Sequence, residues 1–209
     1  LAITFAGAVV MFLAGLPIKW FAGAGAAGAL AAPLAYFFVL HDYQRARVTT
    51  FLNPESDALG TGYHITQSQI AIGSGGILGK GFGNGSQSHL NYLPEAHTDF
   101  VFATMAEEWG LIGGLFVLLV FGVVLRWGLG VARRAPDRFS RLLAGGMTAT
   151  VFFYAAINMM MVMGLAPVVG IPLPFLSYGG SSMMTNMICI GTLMMVDRWS
   201  RKVRTPGLS

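Results

Sequence analysis

The stretch Leu93-Pro94-Glu95-Ala96-His97-Thr98-Asp99-Phe100 sets an imidazole two residues from a carboxylate, where a polar loop meets an apolar run. A carboxylate within hydrogen-bond reach of a hydroxyl can act as a general base. It can also share a divalent cation with phosphate oxygens. An ionisable group at a membrane edge is costly to desolvate, so its presence points to function. Asp99 is therefore the candidate catalytic residue and the one candidate metal ligand. His97 fits either as its orienting partner or as a hydrogen-bonded helix-entry residue. Thr98 fits as a cap on the helix that follows, its hydroxyl meeting a free N–H. Glu107 lies eight residues further on, roughly 12 Å along a helix, too far to share a proton with Asp99 directly. His64 and His89 have no spacing partner, and the sequence contains no metal-ligand cluster.

The elements that must hold these groups are membrane helices. The chain is 55% hydrophobic and 11% charged, against about 25% charged in soluble domains. Several apolar runs reach about 17 residues or more, enough to cross a hydrocarbon core of about 30 Å. The net charge of +4 is spread over short loops, which gives no case for nucleic acid. The single cysteine, Cys189, cannot form an intrachain disulfide and reads as a packing residue. The chain opens at Leu1 inside an apolar stretch without a signal-peptide pattern, which reads as a piece of a longer protein.

Five spans are expected, at about Leu1–Gly15, Phe21–Leu40, Phe100–Leu125, Leu142–Met163 and Gly180–Val196. The fold class is thus an all-α polytopic helix bundle, a single membrane domain over residues 1–209. Basic residues in short loops orient such a bundle. Lys19, then Arg133, Arg134, Arg138 and Arg141, then Arg198, Arg201, Lys202 and Arg204 all fall on one side with five spans, so that side is cytoplasmic. The large loop 41–99, which carries the site, then faces outward with the shorter loop 164–179.

The large loop has internal order. His41–Phe51 can prolong the second span as a helix, ending near Asn53-Pro54. Ile65–Ile72 sets Ile65, Gln69 and Ile72 at helical spacing, an amphipathic segment suited to a membrane surface. Gly73–Gly85 holds seven glycines, a mobile or tightly turned stretch. In the shorter loop, Pro172, Pro174 and the run Ser177-Tyr178-Gly179-Gly180-Ser181-Ser182 exclude a regular helix. Irregular backbone at membrane depth is tolerated where it is buried in protein or lines a wet cavity, so this segment should fold inward against the large loop. Asn158 should make an interhelical hydrogen bond. Met159–Met161 and Met194-Met195 should pack within the bundle, and Gly122, Gly128 and Gly130 offer faces for helix contact.

These segments resemble one family. HDYQRAR (41–47), NPESD (53–57), GYHI (62–65), QS (67–68) with IAIGSGGILGKG (70–81), LPEAHTDFVFA (93–103) and PLPFLSYGGSS (172–182) look like the SEDS family (shape, elongation, division and sporulation), on the side of its rod-shape members. The match runs over essentially all 209 residues. Family members have ten spans with both ends cytoplasmic, and this chain resembles the second half.

The resemblance implies peptidoglycan glycosyltransfer in the bacterial inner membrane during cell elongation. It implies lipid II as substrate, a β-1,4 glycan strand as product, and a class B penicillin-binding protein, a transpeptidase, among other elongation-complex membrane proteins as partners. The family's essential acid falls on Asp99. A sugar hydroxyl is a weak nucleophile and needs a base. Pyrophosphate is a good leaving group that needs charge stabilisation more than a proton, so one carboxylate can suffice where glycoside hydrolysis uses two. Arg45, Arg47 and Lys80, placed outside against the general bias, are candidate pyrophosphate ligands, or else salt-bridge partners of Asp42, Glu55 or Asp57. His97, Thr98, Ser177 and Tyr178 complete the expected substrate-binding set, and a divalent cation (Mg2+ or Mn2+) is a possible cofactor. Two other readings are a lipid II flippase and a noncatalytic scaffold for the transpeptidase. Charge-poor spans under a polar outer loop favour chemistry outside over translocation.

Overall fold

The computed structural model describes residues 2–53, 60–89 and 97–204. Eight helices occur among them and no strands: α1 (Ala2–Leu13), α2 (Ile18–Phe38), α3 (Asp42–Leu52), α4 (Thr61–Ser74), α5 (Ser86–His89), α6 (Val101–Arg134), α7 (Arg138–Val162) and α8 (Gly180–Arg204). A helix stands at each of the five expected spans. Among the described residues α2, α6 and α7 are long and apolar enough to cross a membrane. The twelve residues of α1 reach only about 18 Å, and Ser181, Ser182, Thr185 and Asn186 dilute the apolar character of α8.

Helix ends follow local chemistry. α6 runs past the expected Leu125 because nothing breaks it between that residue and Pro136. Ala135, ahead of that proline, takes an extended conformation (φ −59°, ψ 132°), as a residue preceding proline must. Asp137 then caps α7, accepting from Ser140 N at 2.8 Å and from the Ser140 hydroxyl at 2.9 Å. α7 ends where Gly164 turns left-handed (φ 74°). Gly164 N donates to Met161 O and Leu165 N to Met160 O, a Schellman closure.

α7 lies between α1, α6 and α8. Small residues allow close approach: the Thr148 side chain fills the space over Gly128, and Val10 and Leu13 fill that over Gly146 and Gly145. Gly122 meets nothing within 4 Å, so the expected run of contact glycines reduces to Gly128. The bundle has two ends. At the basic end, Arg138 donates to Ala14 O and Arg134 reaches Asp197 at 3.8 Å, so the three basic clusters gather as the charge pattern requires. At the opposite, loop end lie α4, the turn 97–100 and the segment 164–179.

Three expectations are corrected. α3 does not prolong α2, because the chain breaks at His41 (φ −72°, ψ 157°). Tyr36 Oη lies 3.2 Å from Thr49 Oγ1, where an unbroken helix would separate those residues by about 20 Å. The α4 face carrying Ile65, Ser68 and Ala71 is buried, so that side packs on the bundle against α6 and α7 instead of lying on a membrane surface. Ser68 Oγ sits 2.8 Å from the carbonyls of both Ile65 and Val162. Met159 and Met161 are buried as expected, but Met160, Met194 and Met195 face outward.

Candidate functional site at the loop end

The candidate acid sits in a turn, residues 97–100, immediately before α6. Phe100 is the N-cap, and its own side chain makes no capping bond. The turn is held from outside. Asn158, fully buried on α7, donates Nδ2 to Asp99 O at 2.8 Å and to Ile171 O at 2.7 Å. The expected interhelical bond is instead a pin joining one helix to two loops. The two carbonyls fix the amide's orientation, and its Oδ1 is buried without a donor among the described residues. Only the main chain of Asp99 is used by this pin. The carboxylate is half-buried and faces Gly170, where a Cβ would stand 3.2 Å from Oδ2.

The segment 164–179 folds inward, as its prolines and glycines require. Leu173 and Pro174 are fully buried, and burying a leucine is worth about 2 kcal/mol. Leu173 N donates to Ser177 Oγ at 2.9 Å and Ser177 N to Leu173 O at 3.1 Å. This ring encloses Phe175, which has a positive φ of 64°. Tyr178 N donates to His97 O at 2.9 Å, so the two outer loops are stitched together beside Asp99. The Tyr178 side chain and His97 are exposed.

The glycine-rich stretch performs a different task. α6 is broken at Gly110 (φ 66°, ψ −160°). In an intact helix Leu111 N and Ile112 N would donate to the carbonyls of Glu107 and Glu108. Here they donate to Gly76 O and Ile77 O, and the two carbonyls accept from Lys80 N and Gly81 N. Two helical bonds are thus exchanged for four bonds to the loop. Glycine is required on both sides: a Cβ at Gly79 would strike Glu108 O, and one at Gly110 would strike Gly79 N and Ile77 O. Beneath the loop Glu107 is fully buried. Its carboxylate accepts from Lys80 Nζ at 2.7 Å, Ser86 Oγ at 3.0 Å and Gln87 N at 3.1 Å.

The predicted cations are therefore divided. Lys80 is ion-paired with Glu107, a partner outside the expected trio of Asp42, Glu55 and Asp57. Arg45 donates to Phe37 O at 2.7 Å and approaches Asp42 at 3.9 Å, while Arg47 is exposed on α3. Glu55 and Asp57 lie outside the described residues, as do residues 93–96 of the opening motif and the side chain of His89. The residues missed by sequence reasoning are Glu107 as the Lys80 partner, Asn158 as the pin and Gly110 as the break. Glu107 could have been found, because a carboxylate inside an apolar span requires a partner.

The family described as cell cycle protein, FtsW/RodA/SpoVE, matches residues 1–202. The chain belongs to this family. It is 48% identical over 194 residues to the peptidoglycan glycosyltransferase MrdB of Escherichia coli strain K12, covering 93% of this chain and 52% of that protein. It is 42% identical over 200 residues to stage V sporulation protein E of Bacillus subtilis strain 168, covering 92% and 52%. Among solved structures, one describing the structural coordination of polymerization and crosslinking by a peptidoglycan synthase complex aligns with a TM-score of 0.76 at 32% identity, covering 95% of this chain and 55% of that one. The rod shape determining protein RodA of Thermus thermophilus aligns with a TM-score of 0.58 at 27% identity, covering 94% and 48%. The chain spans about half the length of these relatives. The family match and the apolar helices mark it as a multi-pass membrane protein.

The described residues include no group of three or more His, Cys, Asp or Glu able to hold a metal. A divalent cation held here would take the Asp99 carboxylate as its protein ligand.

Proposed function

We propose that this chain forms the catalytic half of a peptidoglycan glycosyltransferase that polymerises lipid II, with Asp99 as general base. The observation that carries the proposal is the Asn158 pin. It fixes the turn by the Asp99 carbonyl and the facing loop by the Ile171 carbonyl, leaving the carboxylate beside a glycine. The relatives named peptidoglycan glycosyltransferase supply the reaction class.

In the reaction, the carboxylate takes the proton from an incoming sugar hydroxyl. The oxygen forms a bond to the anomeric carbon of the donor while the bond to the pyrophosphate oxygen breaks, and undecaprenyl pyrophosphate leaves with the electron pair. In-line attack inverts an α-linked donor to a β-1,4 product. Oriented donors or cations must meet the charge developing on the leaving group. Arg45 and Arg47 are the candidates on α3, with His97, Thr98 and Tyr178 lining the approach. Lys80 is assigned instead to the glycine-rich loop, since its ammonium serves Glu107. A divalent cation bound at Asp99 would neutralise pyrophosphate charge.

The loop end faces outward from the bacterial inner membrane, and the basic end is cytoplasmic. The partner is a class B penicillin-binding protein, a pairing supported by the similarity to a chain of a peptidoglycan synthase complex. The test is gel-resolved glycan synthesis from lipid II by the full-length protein with its transpeptidase. Wild type should yield polymer and Asp99→Ala none. Lipid II translocation by a protein that makes no polymer would replace the proposal with a flippase.

A further inference from the structure

The glycine-rich loop carries an unexplained surface. Ile77 is 68%, Leu78 78% and Phe82 84% exposed. These are large apolar side chains in a segment otherwise made of small and polar residues. They are not scattered. The backbone at Gly76 and Ile77 is bonded to Leu111 and Ile112, so the loop's apolar groups adjoin those two exposed residues on α6. The exposed apolar strip then continues down α6 through Leu115, Phe116 and Leu119.

The height of this patch follows from charge. Between Glu108 and Arg126, α6 has no charged residue. That run, Trp109–Leu125, spans about 25 Å, close to the thickness of a bilayer's hydrocarbon core. The break at Gly110 is at its outer end, so the loop stands where the outer leaflet begins. Non-helical backbone can enter a membrane only where its polar groups are paired. The four bonds to the broken helix pair this stretch with α6, and Glu107 holds the ammonium of Lys80 on the inner side.

We infer that residues 76–83 form a membrane-inserted wedge, with Ile77, Leu78 and Phe82 seated among the acyl chains of the outer leaflet. The occupant is bilayer lipid because the patch is continuous with the exposed apolar strip of a spanning helix, at the level where that strip meets the headgroups. The wedge fixes how high the loop end rides over the membrane. It is independent of the reaction assigned to Asp99.

The test is nitroxide accessibility in the full-length protein, reconstituted in phosphatidylethanolamine–phosphatidylglycerol vesicles, with a single label at Phe82→Cys. Leu118→Cys, on the exposed span, is the lipid control and Asp42→Cys, on α3, the aqueous one. The label at position 82 should be relaxed strongly by oxygen and weakly by a water-soluble nickel chelate, as at position 118. Strong relaxation by nickel, as at position 42, would overturn the wedge. So would weak relaxation by both reagents, which would mean that protein covers the patch. Leu78→Cys gives the same reading if the label at 82 disturbs folding.

Discussion

Asp99 and Glu107 lie eight residues apart at the entry to one helix, and the structure treats them in opposite ways. Glu107 is sealed and its oxygens accept from Lys80, Ser86 and Gln87. The region around Asp99 is held by a carbonyl, through the Asn158 amide, while the carboxylate stays half-buried beside a glycine. An acid whose oxygens are consumed by the fold is architectural. Asp99 is pinned through its main chain by Asn158, and its side chain stays partly exposed at the loop end. The two sites are nonetheless linked in sequence, because the loop that covers Glu107 leads on to the turn that carries Asp99.

Breaking the Glu107 side should cost the most stability. Glu107→Ala leaves the Lys80 ammonium without its partner and should destabilise by roughly 3 kcal/mol or more, read as a lowered unfolding temperature in detergent. The paired change Lys80→Met with Glu107→Leu removes both charges and should recover most of that loss. If Glu107→Ala melted like wild type, the contrast between the two acids would disappear. Gly110→Ala should follow at about 1–3 kcal/mol, from a left-handed φ imposed on alanine and from its collision with the loop backbone. Thermal unfolding measures this, with Gly122→Ala, over open space, as a neutral control.

Changing the pin sharpens the other side. Asn158→Ala removes two donated hydrogen bonds from buried carbonyls, a loss of about 1–3 kcal/mol. Glycan synthesis should fall by at least about tenfold, because a misplaced reacting group loses rate steeply. Asn158→Asp should be worse than alanine in both measurements, since it sets carboxylate oxygen against two carbonyls.

The smallest effect belongs to Asp137 at the basic end. The backbone N–H of Ser140, and then its hydroxyl, hold the Asp137 carboxyl below the usual aspartate range. Its folded pKa lies below its unfolded one. The stabilisation is therefore complete above the unfolded pKa and disappears as pH falls through the folded value. Asp137→Asn should melt slightly below wild type at neutral pH, and the gap should close in acid.

The helices and the gathering of basic residues at one end of the bundle were legible because hydropathy and loop charge act over whole segments. Asp99 stood out as a candidate because its surrounding types are unusual at a span's edge. The partner of Lys80 was not legible because Glu107 lies 27 residues away and meets it only through the break at Gly110. A single glycine inside an apolar run gives no signal that a helix will open. Asn158 read as an ordinary polar group in a span, since the loops it joins are distant in sequence. The membrane-surface role expected of Ile65–Ile72 falls instead to the next segment. There, glycines at 76, 79, 81 and 83 with positive φ turn neighbouring apolar side chains outward.

The most direct test of the catalytic assignment is Asp99→Asn in the full-length protein, with turnover on lipid II and unfolding temperature measured on the same preparation. A residue acting as general base predicts turnover down by about 10²–10⁴ with the protein still folded, because Asp99→Asn keeps the Asn158 bond to the main-chain carbonyl. Turnover within a few-fold of wild type would contradict the account.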